Sequence, residues 1–226
     1  KNEAQMKNLG SNYENLDQKV YQEIKKLIAE RKLLPGEKIP QEKLAQQLGI
    51  SRTPLIGALK FLEHEKLVES KPGRGFFVRL FSAKEMISIF EIRELLEGLS
   101  ARRAAKSITE KETKALRSIF EDFPQEGPVA DLQAYARADK QFHSFVAQIG
   151  SKEFLTAILQ TLNIITLAYQ NVTSEGLLRK PEETIKEHLA IIDAICAHDP
   201  EQAENLMRFH LKTTISHLKT TATKRN

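Results

Sequence analysis

The sequence lacks features that several classes of protein require. Its 226 residues include one cysteine, Cys196, which excludes an internal disulfide framework and a cysteine-rich zinc ribbon. Apolar runs are short: Leu162–Ala168 is interrupted by Asn163 and Thr166, so no transmembrane helix is expected. Residues 1–10 are polar and form no apolar signal core. We therefore expect a reduced, cytoplasmic protein with no membrane partner. The first residue is not Met, which leaves room for residues upstream.

The charge of the chain is unevenly distributed. Hydrophobic residues make up 41% of the sequence, enough for a packed core, and the formal net charge is +4. Residues 1–80 carry 15 Lys+Arg and 10 Asp+Glu, a difference of +5. Residues 81–226 carry the remaining 19 Lys+Arg and 20 Asp+Glu, a difference of −1. This asymmetry predicts a polyanion-binding module joined to a neutral one.

Apolar residues at helical spacing predict three helices in the first part of the chain. The first follows Asp17, which we interpret as its cap; the second follows Pro40 and stops at Gly49, and the third begins at Ser51. Two β-prone runs then flank a Gly/Pro turn at residues 71–75 and predict a hairpin. This order of elements is the plan of a winged helix-turn-helix domain.

That winged domain is predicted at residues 13–81, after a flexible tail at residues 1–12. From residue 82 onward the β-prone pattern disappears, and segments with helical periodicity follow one another with short breaks such as Gly150-Ser151. The six segments are residues 84–106, 109–122, 129–149, 152–171, 182–198 and 200–219. They predict an all-α antiparallel bundle over residues 82–226, so the expected fold class is mainly α.

The start of the third predicted helix carries side chains suited to DNA. Ser51 and Thr53 suit phosphate oxygens at a helix N-terminus, and Arg52 can bind a guanine through two hydrogen bonds. Lys71 and Arg74, in the predicted hairpin turn, are placed to contact the DNA backbone or the minor groove. The alternative is that Ser51 is only a helix cap and Arg52 is only a solvated surface charge.

Four side chains of the second domain form a candidate metal site. Asp139 and His143 are four residues apart on one helical face, and His143, His188 and His210 each lie beside an apolar stripe. We expect these histidines to point inward, where unpartnered polar groups are costly and a divalent ion would satisfy them. One carboxylate and three imidazoles suit Zn²⁺ first, with Ni²⁺ or Mn²⁺ as alternatives. The ordinary alternative is hydrogen bonding without a metal. The other histidines are expected to be exposed: His64, His198 and His217.

Several segments of the first domain form an ordered set of motifs. They are Leu34–Lys38, Leu44–Pro54, Ala58-Leu59, Leu62-Glu63 and Gly73–Val78. This set, over residues 17–80, resembles the DNA-binding domain of GntR-type bacterial transcription regulators, and we include Gly75 among the DNA-contacting residues. The sequence departs from the family at Ile56 and Gly57, where the family usually has an Arg-Glu pair whose Arg contacts DNA. That contact, and any operator inferred by analogy, is therefore left open.

The second domain contains a further set of motifs. They are Asp139–His143, Glu187-His188 followed by Ile191–Ile195, and Asp199 with Ala203, Met207 and His210. This set, within residues 85–219, resembles the FCD ligand domain of the FadR-like branch of GntR regulators. The resemblance implies that the four candidate ligands hold a metal and that a small carboxylate effector binds at it. It also implies that Arg93 binds the effector, the alternative being an ion pair with Glu97.

These features predict a DNA-binding transcription regulator, in the main hypothesis a repressor, whose operator affinity is controlled by a small organic acid at the metal. A homodimer would read two half-sites of a near-palindromic duplex operator. An alternative is a regulator for which the ion itself is the signal. A metal-free domain for an acyl-CoA-type ligand is another. A metalloenzyme is not expected, because no general base is evident: Glu187 adjoins His188 but lies on another face of its helix.

Overall fold

The computed structural model describes residues 14–170 and 178–223, and the chain divides into two compact units between Leu80 and Phe81. The tail predicted at residues 1–12 lies outside the described residues. No helix in the described ranges is both long and apolar enough to cross a membrane. The predicted fold class is confirmed, because the first unit is a helix-turn-helix with a hairpin and the second is helical.

The first unit contains three helices followed by one antiparallel hairpin. The elements are α1 (Glu14–Ala29), α2 (Gln41–Leu48), α3 (Arg52–His64), β1 (Val68–Lys71) and β2 (Gly75–Val78). The core forms between α1 and α3, where Ile24, Leu55, Leu59 and Leu62 have no exposed surface. Burial of such side chains contributes about 1.5–3 kcal/mol each and fixes how the two helices pack.

Local residue chemistry explains the turn between α2 and α3. Gly49 ends α2 in the left-handed conformation, with φ of 65°, as its position in the sequence predicts. Ser51 is the N-cap residue of α3 and lies just outside the helix, which begins at Arg52. The expectation that Asp17 caps the first helix is wrong, because α1 already includes residues 14–16 and Asp17 lies within its first described turn.

The hairpin has a regular register and a third partner. Val68 pairs with Val78 and Lys71 with Gly75, and the amide of Arg74 donates to the carbonyl of Lys71 across the turn at 2.9 Å. Residues 36–39 lie beside β2, and their bridge joins Lys38 to Phe77. These bonds anchor the wing to the segment that leads into α2.

The second unit is built from helices alone in its described part. The elements are α4 (Ala83–Ser107), α5 (Glu110–Ser118), α6 (Leu132–Gln170), α7 (Pro181–Cys196) and α8 (Pro200–Thr223). Ser82 with Glu85, and Thr109 with Glu112, form reciprocal capping boxes that fix the starts of α4 and α5. Helix α4 packs against α6, α7 and α8, so its inward face meets side chains from all three.

The helix break predicted at Gly150-Ser151 is wrong, because α6 continues through both residues for 39 residues in total. The glycine has a different role here. A Cβ atom on Gly150 would lie 1.9 Å from the backbone carbonyl oxygen of Ser100, so only glycine permits α4 and α6 to approach this closely. The hydroxyls of Ser100 and Ser151 hydrogen-bond at the same crossing.

Candidate functional site

The N-terminus of α3 presents the first predicted group of DNA-contacting residues together on the surface. Ser51, Arg52 and Thr53 are all exposed. In the described part of the chain, the Ser51 hydroxyl accepts no capping hydrogen bond from α3. The first-turn amides therefore remain available to an anion, which is the arrangement that favours phosphate binding. Arg52 lies 3.5 Å from Glu42, but both side chains are more than half exposed, so this pair restrains Arg52 only weakly.

The hairpin turn presents the second predicted group. Arg74 is exposed at the turn, whereas Lys71 is half-buried, pairs with Glu69 at 2.8 Å and lies over the ring of Phe77. Gly75 has φ of 92°, a backbone conformation that residues with side chains rarely adopt. It also lies close to the side chain of Gln41. Gly75 thus permits the conformation of the turn. Because it has no side chain, it could contact DNA only through its backbone.

The departure from the GntR pattern at Gly57 has a structural counterpart in the first unit. A Cβ atom at Gly57 would lie 2.7 Å from Oδ2 of Asp17, which belongs to α1. The small residue therefore accompanies an acidic side chain on the neighbouring helix. Ile56 is half-buried. Neither isoleucine nor glycine carries a charge, so neither position offers a cation to DNA.

The second unit brings the predicted metal ligands together from α6, α7 and α8. Ring nitrogens of His143, His188 and His210 all lie within 4.8 Å of one another, and all three residues are buried. Oδ1 of Asp139 lies 3.5 Å from Nε2 of His188 and 3.9 Å from Nε2 of His143. Donor atoms that share an ion through bonds of about 2.0–2.2 Å lie roughly 3 to 4 Å apart. The two Asp139 distances fall in this range, and the histidine nitrogens lie within the looser limit of 4.8 Å. The histidines predicted to be exposed are so: His64, His198 and His217.

His188 is the buried centre of this cluster. It has no exposed surface, and neither Nδ1 nor Nε2 forms a hydrogen bond with any described residue. The rings of Phe120 and Phe142 pack against it, with centroids 4.9 and 4.6 Å away. Burial, followed by the charges of His210 and His143, holds the pKa of His188 well below its usual range. This shift favours the neutral imidazole, which is the form that binds metals.

A carboxylate orients His143 from α4. Nδ1 of His143 hydrogen-bonds to Glu97, and Oε1 of Glu97 accepts a bond from Nε of Arg93 at 2.6 Å. Burial raises the pKa of Glu97, but the charges of Arg93 and His143 and their hydrogen bonds outweigh it and leave the pKa at about 2. The ion pair between Arg93 and Glu97, the alternative role for Arg93, is thus present. Nη1 of Arg93 also donates to Thr166 at 3.2 Å.

A second carboxylate orients His210 in the same way. Nδ1 of His210 lies 2.6 Å from Oε2 of Glu187, and Arg179 donates two hydrogen bonds of 2.7 Å to that carboxylate. Burial raises the pKa of Glu187, but the bonds from Arg179 and His210 lower it to about 2. Burial also lowers the pKa of His210, partly opposed by its bond to Glu187. Histidines whose second nitrogen is held by a carboxylate are typical of metal centres.

Two cavities adjoin the cluster. The first is lined among others by Arg93, Asp139, His143, Arg179 and His210. The second is smaller and shares the first three of these residues. Its remaining described lining residues are Ala136, Lys140, Asn163 and Thr166. Both cavities therefore reach the candidate ligands Asp139 and His143.

Sequence reasoning missed several residues of this site. Glu97 and Arg93 share a helical face at a spacing of four, which indicated their ion pair but not the bond to a histidine. Glu187 does point away from His188, as expected, and contacts His210 on α8 instead. Arg179 lies outside the helices and carried no periodic signal. The two polar residues that interrupt the apolar run of α6 line the second cavity: Asn163 and Thr166.

A winged helix-turn-helix domain followed by a helical domain is an arrangement typical of bacterial transcription regulators. A family model described as "Bacterial regulatory proteins, gntR family" matches residues 16–78, and one described as "FCD domain" matches residues 88–213. The chain belongs to the GntR family of bacterial transcription regulators and carries an FCD domain.

Curated relatives agree with this assignment. The chain is 29% identical over 184 residues to a probable D-xylose utilization operon transcriptional repressor of Paenarthrobacter nicotinovorans, covering 81% of this chain and 80% of the relative. It is 26% identical over 218 residues to the HTH-type transcriptional repressor NanR of Escherichia coli K12, covering 88% and 82%. These relatives are regulators, and the protein is a transcription regulator rather than an enzyme.

Solved structures share the fold. McbR/YncC of Escherichia coli superimposes with a TM-score of 0.75 at 21% identity, covering 92% of this chain and 98% of that one. A putative GntR regulator from Rhodococcus sp. RHA1 gives a TM-score of 0.73 at 19% identity, covering 90% and 97%. At these identities the likeness concerns the fold alone.

Proposed function

We propose that this regulator is a repressor whose affinity for its operator is controlled by a small organic acid bound at a divalent metal in the FCD domain. Asp139, His143, His188 and His210 would hold the ion, and Arg93 would bind the carboxylate. The ion, when bound, supplies a positive centre for one end of the acid. The other groups that contact the acid would be side chains of this protein.

The observation that carries the metal proposal is the burial of His188 without hydrogen-bond partners on either ring nitrogen. A buried polar group left unpaired costs about 1–3 kcal/mol in proteins, so such residues normally have a partner. An ordinary hydrogen-bonded core histidine would have one among its neighbours. Oδ1 of Asp139 lies 3.5 Å from Nε2 of His188 without forming a hydrogen bond, and a shared ion would account for both groups.

The carboxylates behind the histidines support the same proposal. Glu97 holds Nδ1 of His143 and Glu187 holds Nδ1 of His210, so Nε2 of each ring is directed toward the cluster. This orientation fixes the tautomer that presents a lone pair to an ion. One carboxylate with three imidazoles is a donor set suited first to Zn²⁺, and also to Ni²⁺ or Mn²⁺.

The first cavity supports an acidic effector. Arg93 and Arg179 both line it, and both are at least nine-tenths buried. The two bonds that Arg93 makes to Glu97 and Thr166 occupy two of its five N–H donors, so others remain for a ligand carboxylate. An acid placed there would lie between a guanidinium and the proposed ion.

The first unit would deliver the response on DNA. Ser51, Arg52 and Thr53 would contact the major groove, while Lys71, Arg74 and the backbone at Gly75 would contact the phosphates or the minor groove. We propose a homodimer that reads a near-palindromic operator, since two-fold protein symmetry imposes matching half-sites. An acid changes operator affinity only if it binds one arrangement of the protein more tightly, typically by about 1–3 kcal/mol.

The test combines elemental analysis with DNA titration. Duplexes selected from a random pool by the purified protein provide the operator, and fluorescence anisotropy gives its affinity with and without chelator and organic acids. We expect about one divalent ion per chain, and operator affinity that changes with an acid only when the ion is present. Protein free of metal, or operator affinity unaffected by every acid, would overturn the proposal. A response to chelator alone would instead identify the ion as the signal.

A further inference from the structure

We infer that the second cavity, beside Asn163, is a hydroxyl subsite, so that the acid bound by this regulator is a hydroxycarboxylate rather than a simple alkanoic acid. This inference rests on the proposed function and specifies the chemical class of its effector. The subsite is lined by Asn163 and Thr166 of α6 and shares Arg93, Asp139 and His143 with the first cavity.

The inference starts from an unpartnered acceptor. Asn163 is 7% exposed, and its Oδ1 is buried and accepts no hydrogen bond from any described residue. Asn163 lines the second cavity. A buried amide oxygen without a partner is as costly as the unpaired histidine nitrogens, and it needs a donor. A ligand hydroxyl is such a donor, whereas a carboxylate oxygen or a methylene group is not.

The rest of the lining is polar as well. Among the described residues around the second cavity, only Ala136 is apolar. Lys140 and Arg93 contribute positive charge, and the proposed ion would balance the negative charge of Asp139, so a ligand ammonium group is disfavoured as the donor for Asn163. The hydroxyl of Thr166 donates to the carbonyl of Leu162 and accepts from Arg93, so it is already engaged. An alkyl or acyl chain placed here would leave these groups desolvated without partners.

The two cavities can serve one ligand. Arg93, Asp139 and His143 line both of them, so an acid whose carboxylate reaches Arg93 is adjacent to Asn163. The group next to the carboxylate then meets the amide oxygen. This juxtaposition favours acids with a hydroxyl on a carbon near the carboxylate, such as hydroxy acids and sugar acids.

Matched pairs of acids test the inference on the full-length, zinc-loaded protein. Each pair differs only in hydroxyl groups: glycolate and acetate, lactate and propionate, gluconate and hexanoate. Calorimetric titration gives their affinities. We expect at least one hydroxylated member to bind roughly tenfold or more tightly than its partner, because a buried polar site discriminates strongly against a ligand that leaves it unpaired.

Substitution of the acceptor assigns the preference to Asn163. Asn163→Leu keeps a similar volume and removes the acceptor, so the hydroxylated acid should lose roughly 3- to 10-fold in affinity while its partner is unchanged. Asn163→Asp retains an acceptor oxygen and should retain the preference. Circular dichroism and zinc content verify that each variant is folded and loaded.

The outcomes separate this inference from the proposed function. If acids bind in a zinc-dependent manner without preference for hydroxyl groups, or if Asn163→Leu keeps the preference, the hydroxyl subsite is refuted while the metal-and-acid site stands. If no acid in the panel binds the zinc-loaded protein, the inference is overturned together with the effector part of the proposed function.

Discussion

Replacement of His188 by leucine is predicted to make the protein more stable than the parent without metal and less stable than the parent with metal. In the metal-free chain, His188 is fully buried and neither ring nitrogen has a hydrogen-bond partner among the described residues. Unsatisfied groups of this kind cost about 1–3 kcal/mol. Leucine removes them but also removes the ring contacts with Phe120 and Phe142, worth about 0.5–1.5 kcal/mol. The metal-free variant should therefore be more stable than the parent by roughly 1 kcal/mol.

Bound metal should make the parent more stable than the variant, because the folded parent binds the ion and the variant lacks one of its ligands. An ion at a hundred times its Kd stabilises the parent by about 2.7 kcal/mol. The variant should gain far less. Urea unfolding in chelator and in excess Zn²⁺ measures both free energies, and His217→Leu, at an exposed histidine of α8, serves as the control that should change neither.

The result that refutes this reasoning is also specific. If His188→Leu destabilises the metal-free protein by several kcal/mol, then His188 has partners that the structure does not contain. If parent and variant gain equal stability from Zn²⁺, His188 is not a ligand. Either outcome would remove the observation on which the metal proposal depends.

Further substitutions test the fold, the DNA interface and the residues behind the ligands. Gly150→Ala should lower the free energy of unfolding by about 1–3 kcal/mol or more, because its Cβ meets a backbone carbonyl of α4, as thermal unfolding will measure. Gly57→Ala, whose Cβ meets only a movable carboxylate, should change stability by less than about 1 kcal/mol; an equal loss in both variants would contradict the packing argument. Arg52→Ala should weaken operator binding by about 1–3 kcal/mol in anisotropy titrations, whereas Arg103→Ala, an exposed cation of the other unit, should not. Glu97→Gln should lower zinc affinity roughly 10- to 100-fold in chelator competition, and unchanged affinity would mean that its bond to the histidine is incidental.

Much of the fold could be predicted because local chemistry and periodicity agree. Gly49 adopts the left-handed conformation that its place after an apolar helix indicates, and the hairpin forms around the Gly/Pro turn. The role of Gly150 could not be predicted from local chemistry and periodicity. A glycine that stops a helix and a glycine that admits a neighbouring backbone look alike in sequence, and only the packing of α4 on α6 distinguishes them.

The ligand cluster was predictable in part for a similar reason. His143, His188 and His210 each lie beside apolar neighbours in sequence, and this placed them inside the bundle. The carboxylates behind them were not predictable, because each acts on a histidine of a different helix. Glu187 contacts His210 rather than its sequence neighbour, and Glu97 contacts His143 across the α4–α6 interface.

The two polar residues that interrupt the apolar run of α6, Asn163 and Thr166, have two structural interpretations. In the sequence, Asn163 and Thr166 interrupt an apolar run, which indicates that the run does not span a membrane. In the structure the same two residues line a cavity beside Arg93. A polar residue at a buried helical position costs stability unless something pairs with it, so its presence indicates either an internal partner or a ligand. Thr166 has the internal partner, whereas Oδ1 of Asn163 accepts no hydrogen bond from the described residues.

The connection between Arg93, Glu97 and His143 would couple the proposed metal site to the proposed acid site. Glu97 contacts both a proposed ligand of the ion and the proposed contact of the acid, so it cannot adjust to one without affecting the other. His143 would hold the proposed ion while Glu97 holds Nδ1 of His143, and the same Glu97 carboxylate would keep the guanidinium of Arg93 in place for the acid. Because such coupling is reciprocal for binding free energies, the acid must hold the ion more tightly by the same factor. The proposed metal would then keep the acid site in its binding geometry, and would not have to vary in concentration for the acid to act as the signal.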